Sequence, residues 1–406
     1  MPKIESLTHL GLGRADTGEL LPRTLPGEEV EIGADGLPRI LVPSADRVSP
    51  PCRHFKSCGG CAMQHAADSF VASWKQSIVE RALSAHGISA RISGVETSPA
   101  NSRRRAKLAG RRTKKGALVG FHAKGSDTLI EIPDCRLLSL GIMATLPALQ
   151  DLTARVASRK GELGLTVTES LGGPDIHIDT DLPLTEALRI DLAAFANQHS
   201  IARLVWRDEQ IVMINPPHQK FGAARVVPPP GAFLQATKAG EASLLAAVLD
   251  IVGKSDRVID LFAGCGTFSL PLATTAEVHA VEGEKEMLVA LDRGWREAVG
   301  LKRVTTEARD LFRRPLEPDE FKGWDAVVID PPRAGAEAQM RELATARVPV
   351  IAAVSCNPVT FARDARILVD GGYRLTRVTP VDQFRYSAHV ELVARFERTK
   401  ARSTAA

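Results

Sequence analysis

No stretch of about 18 consecutive apolar residues occurs in this 406-residue chain, so no segment reads as a membrane-spanning helix. The start, Met1-Pro2-Lys3-Ile4-Glu5, lacks the apolar segment of a signal peptide, and a cytoplasmic location with no membrane contact is the expectation. There is no internal repeat, and no low-complexity sequence beyond a short polar tail after Arg398. An excess of one charge is lacking too. The 52 Lys and Arg against 48 Asp and Glu leave only +4, which by itself selects no partner. Acids are missing locally, however. Arg103-Arg104-Arg105, Lys107, Arg111-Arg112 and Lys114-Lys115 put eight positive charges between residues 103 and 115 with no carboxylate among them. Such a run suits contact with a phosphate backbone, the plainer alternative being a solvated basic hairpin.

At 44% hydrophobic and 25% charged the chain has the composition of a globular protein, and its length exceeds one ordinary core, implying two or three units. Residues 1 to about 49 carry short strand-like pieces between turns, such as Thr8 to Gly13 and Leu25 to Val30, which predicts a small all-β unit. From Asp68 to His86 the spacing of Phe70, Trp74, Ile78 and Leu83, closed by Gly87, predicts a helix. Alternating segments up to Gly231 read as a mixed α+β unit. After Pro228-Pro229-Pro230-Gly231 the rhythm becomes strand, helix, strand. Strands are expected at 257–262, 277–282, 303–307, 324–330, 348–355, 373–380 and 390–396, the pattern of a doubly wound α/β sheet.

Two of these runs end in chemistry. Val348 to Val354 leads into Ser355-Cys356-Asn357-Pro358, and another apolar run leads into Asp330-Pro331-Pro332-Arg333. Open α/β sheets gather ligands at strand C-termini, and a thiol there is a strong candidate nucleophile. Upstream, Val258 to Phe268 contains Ala263-Gly264-Cys265-Gly266, a strand, a glycine-rich turn and a helix start that let the backbone approach a ligand. Glu282, at the tip of the second strand, suits a ribose diol. Asp310, beyond the third, could take an adenine amino group. With Asp330 they make three acids following strands of one sheet. The turn lacks the third glycine of a nicotinamide site, which favours S-adenosylmethionine over NAD. Cys265 has no base or cation beside it in sequence and reads as structural.

Cys52, Cys58 and Cys61 form CxxxxxCxxC, and Cys135 follows alone. In a reducing compartment such thiols are metal ligands more often than disulfides. Three clustered and one distant suit a 4Fe-4S cluster, with Gly59-Gly60 letting the chain curl around it; zinc and unligated core cysteines are the alternatives.

Taken in order, CxxxxxCxxC with Cys135, Phe233-Leu234-Gln235, Asp260 to Gly266, Asp330 to Arg333, Ser355 to Pro358 and His389-Val390-Glu391 resemble the bacterial iron-sulfur 23S ribosomal RNA uracil-C5 methyltransferases, within the wider RNA 5-methyluridine methyltransferase family. The resemblance runs over nearly the whole chain. It implies a C-terminal Rossmann-like, seven-stranded class I methyltransferase fold over 232–402. It also implies an α+β central RNA-binding domain at 50–231, whose 68–87 helix can pack on the catalytic unit, and an abbreviated OB-like, TRAM-type unit at 1–49. It makes Cys356 the nucleophile and Glu391 the general base. Gln235, Phe262, Gly264, Thr267, Glu282, Asp310 and Asp330 surround S-adenosylmethionine, and Cys52, Cys58, Cys61 and Cys135 hold the 4Fe-4S cluster. The implied partner is RNA, 23S rRNA with the target uridine flipped out, with no obligate protein partner. Thr267 stands where relatives commonly have Asn, and Asp382-Gln383-Phe384-Arg385-Tyr386 departs from their more usual Met-Phe-Pro version.

Competing classes fit less well. Amino-methylating enzymes carry an aromatic after the prolines, where this chain has Arg333. Cytosine-C5 enzymes carry a Pro-Cys in the fourth-strand motif, which here has no cysteine. Radical S-adenosylmethionine enzymes use CxxxCxxC. A transfer-RNA uracil-C5 enzyme, or a noncatalytic iron-sulfur RNA-binding protein, is the remaining alternative.

Overall fold

The computed structural model describes residues 1–398; the expected end of the third unit at 402 and the polar tail lie outside the described residues. No helix among them is long and apolar enough to cross a membrane.

The C-terminal part is organised by one sheet. Its seven principal strands are β1 (Arg257–Leu261), β2 (Glu277–Glu282), β3 (Val304–Ala308), β4 (Ala326–Ile329), β5 (Val350–Ser355), β6 (Tyr373–Asp382) and β7 (Glu391–Arg398). They lie in the order β3-β2-β1-β4-β5-β7-β6, parallel except for antiparallel β7. The central strands β1, β4 and β5 read as near-continuous apolar runs because both their faces are covered. One face carries the helices Asp68–Ala85, Glu337–Ala346 and Pro358–Asp370, whose Val71, Trp74, Ile78, Leu343, Phe361 and Leu368 share a core with Ile259, Val327 and Ile351. The opposite face carries Lys238–Val252 and Lys285–Glu297, packed through Leu244, Val248, Leu288 and Leu291 onto Val258, Ala280 and Val328.

The sheet does not stop at β6. Arg91–Ile92 and Glu96–Thr97 pair with it in parallel, so an N-terminal segment covers the otherwise open edge. The helix Asp68–Ala85 is bolted to the same unit by a fully buried ion pair, Lys75 to Asp382 at 2.6 Å.

A second seven-stranded sheet spans Arg105 to Met213, with Leu140–Val156 and Glu186–Gln198 packed on it around Leu149, Leu165, Ile176 and Trp206. The first residues form short antiparallel strands, Ile4–Leu7, Leu12–Ala15 and Leu20–Pro22, then Glu29–Ile32 with Pro38–Val42, around a small core of Ile4, Ala15, Leu21 and Val30. The basic run is not one solvated face. Arg104 is buried, pairing with Glu241 at 2.5 Å and donating to the Gln235 carbonyl at 3.0 Å; Arg105 donates to the Gly231 carbonyl at 3.0 Å. Lys107, Arg112, Lys114 and Lys115 remain exposed.

Candidate active site

Strand register assembles the site. Leu261 pairs with Val281 and with Ile329, so the residues that follow, Phe262, Glu282 and Asp330, emerge side by side at the C-terminal edge of the sheet. Ser355 pairs with Leu392, which sets Cys356 beside Glu391 across two antiparallel strands. A cavity of about 400 Å3 opens there, lined by Gln235, Phe262, Gly264, Thr267, Glu282, Asp330, Arg333, Cys356 and Glu391 among others.

Each wall has a local cause. Asn357 caps the helix Pro358–Asp370 by accepting from the Val359 amide at 3.1 Å, with Pro358 at the first helical position. Its amide nitrogen donates to the Arg333 carbonyl at 3.1 Å, as does the Thr360 hydroxyl, so the cysteine turn and the Asp-Pro-Pro-Arg turn are tied together. In the glycine turn Phe262 takes a left-handed φ of 61°, a conformation that costs a bulky residue and aims its ring at the cavity, 5.4 Å from that of Phe312. Gly264, at φ 55°, donates its amide to Glu282 at 2.9 Å, and the Glu284 amide reaches the other oxygen of the same carboxylate at 3.0 Å. The Asp260 carboxyl beneath accepts from the Ser269 hydroxyl at 2.5 Å, joining β1 to the turn.

The electrostatics are those of acids crowded out of water. Burial, reinforced by Asp330, pushes the Glu391 carboxyl up to about 8, against a hydrogen bond from Gln383 that lowers it. Burial puts Asp330 at about 7. Burial, then the charges of Glu391 and Asp330, lift the Cys356 thiol to about 11, with Arg333 pulling the other way. A cavity that holds two carboxyls and a thiol against ionisation favours a cationic ligand, whose charge would restore the ionised forms.

Eight of the residues expected at the site line this one cavity. Asp310 does not: it is exposed, accepts from the Phe312 and Arg313 amides at 3.0 and 3.3 Å, and sits 3.5 Å from the Arg313 side chain. Cys265 is buried against Met287 and its thiol is driven up to about 12 by burial. Among the residues that sequence reasoning passed over is Gln383, buried between Gln235 and Glu391. An unusual residue in an otherwise expected motif was the available signal. Phe233, exposed at the rim, and Met287 also line the cavity.

The four remaining cysteines, Cys52, Cys58, Cys61 and Cys135, are free thiols around a second, small cavity. Burial and mutual repulsion raise Cys58 and Cys135, and push Cys61 up to about 12. Backbone amides of Gly60 and Leu137 point at the sulfurs of Cys58 and Cys135, each at 3.4 Å. Gly59 must be glycine, because a Cβ there would lie 2.7 Å from the His122 carbonyl. An all-thiol donor set with amides directed at the sulfurs fits a thiolate-bound iron-sulfur group.

Known proteins resemble this chain over nearly its whole length. Residues 225–398 match the family described as tRNA (Uracil-5-)-methyltransferase. An RNA methyltransferase of Mesorhizobium japonicum is 44% identical over 97% of this chain and 96% of its own length. The 23S rRNA (uracil(1939)-C(5))-methyltransferase RlmD of Aeromonas hydrophila is 32% identical over 97% of this chain and 95% of its own. The crystal structure of Pyrococcus abyssi tRNA (uracil-54, C5)-methyltransferase in complex with S-adenosyl-L-homocysteine superposes with a TM-score of 0.76 at 21% identity, covering 98% of this chain and 99% of that one, a likeness of fold. The chain belongs to the RNA uracil-C5 methyltransferase family, whose members are S-adenosylmethionine-dependent enzymes.

Proposed function

We propose that this protein methylates carbon 5 of a uridine in 23S rRNA, with Cys356 as nucleophile and Glu391 as general base. The observation that carries the reading is the position of Cys356 and Glu391 on neighbouring antiparallel strands, open to the same cavity as the glycine turn. Carbon 5 of uracil is a weak nucleophile. Addition of the Cys356 thiolate to carbon 6 pushes electron density onto carbon 5 and the carbonyl. S-Adenosylmethionine, when bound along Phe262, Gly264, Thr267, Glu282 and Asp330, supplies an electrophilic methyl group. Glu391 then removes the proton left on carbon 5, and the electron pair released expels the thiolate, restoring the ring and Cys356. Arg333, beside the cysteine turn, opposes the negative charge that gathers there.

The uridine must leave its stack to reach so recessed a thiol, so flipping is part of the reading. The sheet from Arg105 to Met213, with its exposed Lys107, Arg112, Lys114 and Lys115, serves as the RNA-binding unit, and the action is cytoplasmic. Ribosomal RNA is supported by the 32%-identical relative; transfer RNA is the second reading, favoured by the description of the family matching 225–398. Cys52, Cys58, Cys61 and Cys135 would hold a 4Fe-4S cluster, which organises the segment between the two sheets.

Cys356→Ala is expected to abolish methyl transfer to RNA, a loss of at least about a thousandfold, while binding of S-adenosylmethionine persists. Glu391→Gln should trap a covalent RNA–protein adduct visible on a denaturing gel. Retained turnover in the first, or normal release in the second, removes the mechanism. Mapping 5-methyluridine in total RNA of a strain lacking the gene decides between ribosomal and transfer RNA.

A further inference from the structure

We propose that Gln383 is the positioning residue of this site, a single side-chain amide that orients the carboxylate of Glu391 and the amide of Gln235 together. The inference rests on the reading of Glu391 as the base. Gln383 lies just past the end of β6 and is 1% exposed. Its orientation is dictated by its neighbours. The backbone amide of Ala236 can only donate, and it points at Gln383 Oε1 at 2.6 Å, with that of Thr237 at 3.4 Å. The carbonyl end of the side chain is therefore fixed against the start of the helix Lys238–Val252, and the NH2 end must face the site. Its two hydrogens go to Gln235 Oε1, at 2.5 Å, and to Glu391 Oε2.

The consequence is directional. With Oε1 of Gln235 occupied by a donor, its own NH2 is turned toward Asp330 Oδ2, at 3.3 Å. One amide thus sets the side chain expected to hold the methyl donor and the side chain expected to take the proton. It does so from a residue clamped on both flanks: Lys75 reaches the Asp382 carboxylate at 2.6 Å on one side and donates to the Phe384 carbonyl at 3.4 Å on the other. Gly240 leaves the room, since a Cβ there would meet Gln383 Cβ at 2.4 Å. The groups facing Glu391 from the surrounding elements are Asp330 after β4, Cys356 after β5 with Arg333 beside it, and Gln383 after β6. Of these, Gln383 alone donates a hydrogen bond to the carboxylate. A donor to the ionised form favours that form, which is the form a base requires.

The test compares the full-length wild type with Gln383→Met, similar in size but without donor or acceptor, and Gln383→Glu, which replaces the donor by an acid. Methyl transfer to a uridine-containing rRNA fragment is followed from pH 5.5 to 9.5. In parallel, carbon NMR of protein labelled at glutamate carboxyls, with Glu391 assigned from Glu391→Gln, follows the carboxyl directly and needs no turnover. The acidic limb of kcat and the Glu391 titration should both move up by about one pH unit in Gln383→Met and further in Gln383→Glu. At pH 7 kcat should fall about tenfold in Gln383→Met and recover to within about twofold near pH 9, while KM for S-adenosylmethionine rises only a few-fold. A loss equal at every pH, with the Glu391 titration unmoved in both variants, would overturn the positioning role. Wild type without transferase activity but with the expected NMR shift overturns the reading of the base and leaves the hydrogen-bond assignment standing.

Discussion

Glu391 shows how a residue's chemistry is made by its surroundings. On a free chain it would ionise near 4.5; at 3% exposure, facing Asp330, it is held near 8. The folded protein therefore binds its proton more tightly than the unfolded chain between those limits, and the site contributes a stability that falls as pH rises through this window. Glu391→Gln removes the titration. It should leave the ligand-free protein little changed at pH 4 and more stable than wild type by several kcal/mol, up to roughly 5, at pH 9, measured by urea unfolding at both pH values. An equal effect at both would mean that the carboxyl is not strained by burial. The same residue illustrates what local sequence reading reaches. His389-Val390-Glu391 marks the position, yet the amide that holds the carboxylate, Gln383, is visible only once β6 and β7 are paired and the Ala236 amide is seen to point at it.

Among the elements, the helix Asp68–Ala85 carries the least expected placement. Trp74, Ile78 and Leu83 face the core as their spacing predicts, but Lys75 is fully buried as well, paired with Asp382 at the tip of β6. Desolvation lowers the Lys75 amine and raises the Asp382 carboxyl, so each is a liability without the other. Lys75→Met should cost about 3 kcal/mol or more in urea unfolding, and adding Asp382→Asn should recover most of it, because a lone buried charge costs more than a neutral pair. If the double variant is no better than the single, the pair is not what joins the helix to the sheet. The central strands β1, β4 and β5 were legible in the sequence because strands covered on both faces write nearly unbroken apolar runs. The edge strands at 91–92 and 96–97 were not, since two-residue ladders have no periodicity to read.

At the scale of the molecule, the cysteine segment joins the two large sheets. The Gly59 amide donates to the His122 carbonyl of the central sheet at 2.9 Å, and the amides of Ala62 and Met63 donate to the Tyr386 carbonyl, in the loop between β6 and β7, at 2.7 and 2.9 Å. Protein purified without oxygen should show broad visible absorption and about four irons per chain, lost in Cys58→Ser and in Cys135→Ser. Stoichiometric zinc without iron would sink the assignment. Because the segment touches the loop that bears Gln383, the cysteine variants should also lower methyl transfer, while retaining the near-native helix content expected of an intact C-terminal sheet.

The sequence alone determined the class of chemistry. A thiol, an acid and a glycine turn at the ends of apolar runs are local features, set by residue type and spacing, and they pointed to one family before any coordinate was known. Tertiary structure alone decided which of the named residues meet. It gathered Cys356, Glu391, Asp330 and Gln235 in one cavity, left Asp310 outside it, turned Arg104 and Arg105 of the basic run inward, and placed Gln383 against Glu391. The reason is physical: hydrogen-bond partners far apart in sequence depend on strand register and burial, and neither is written in the spacing of residues along the chain.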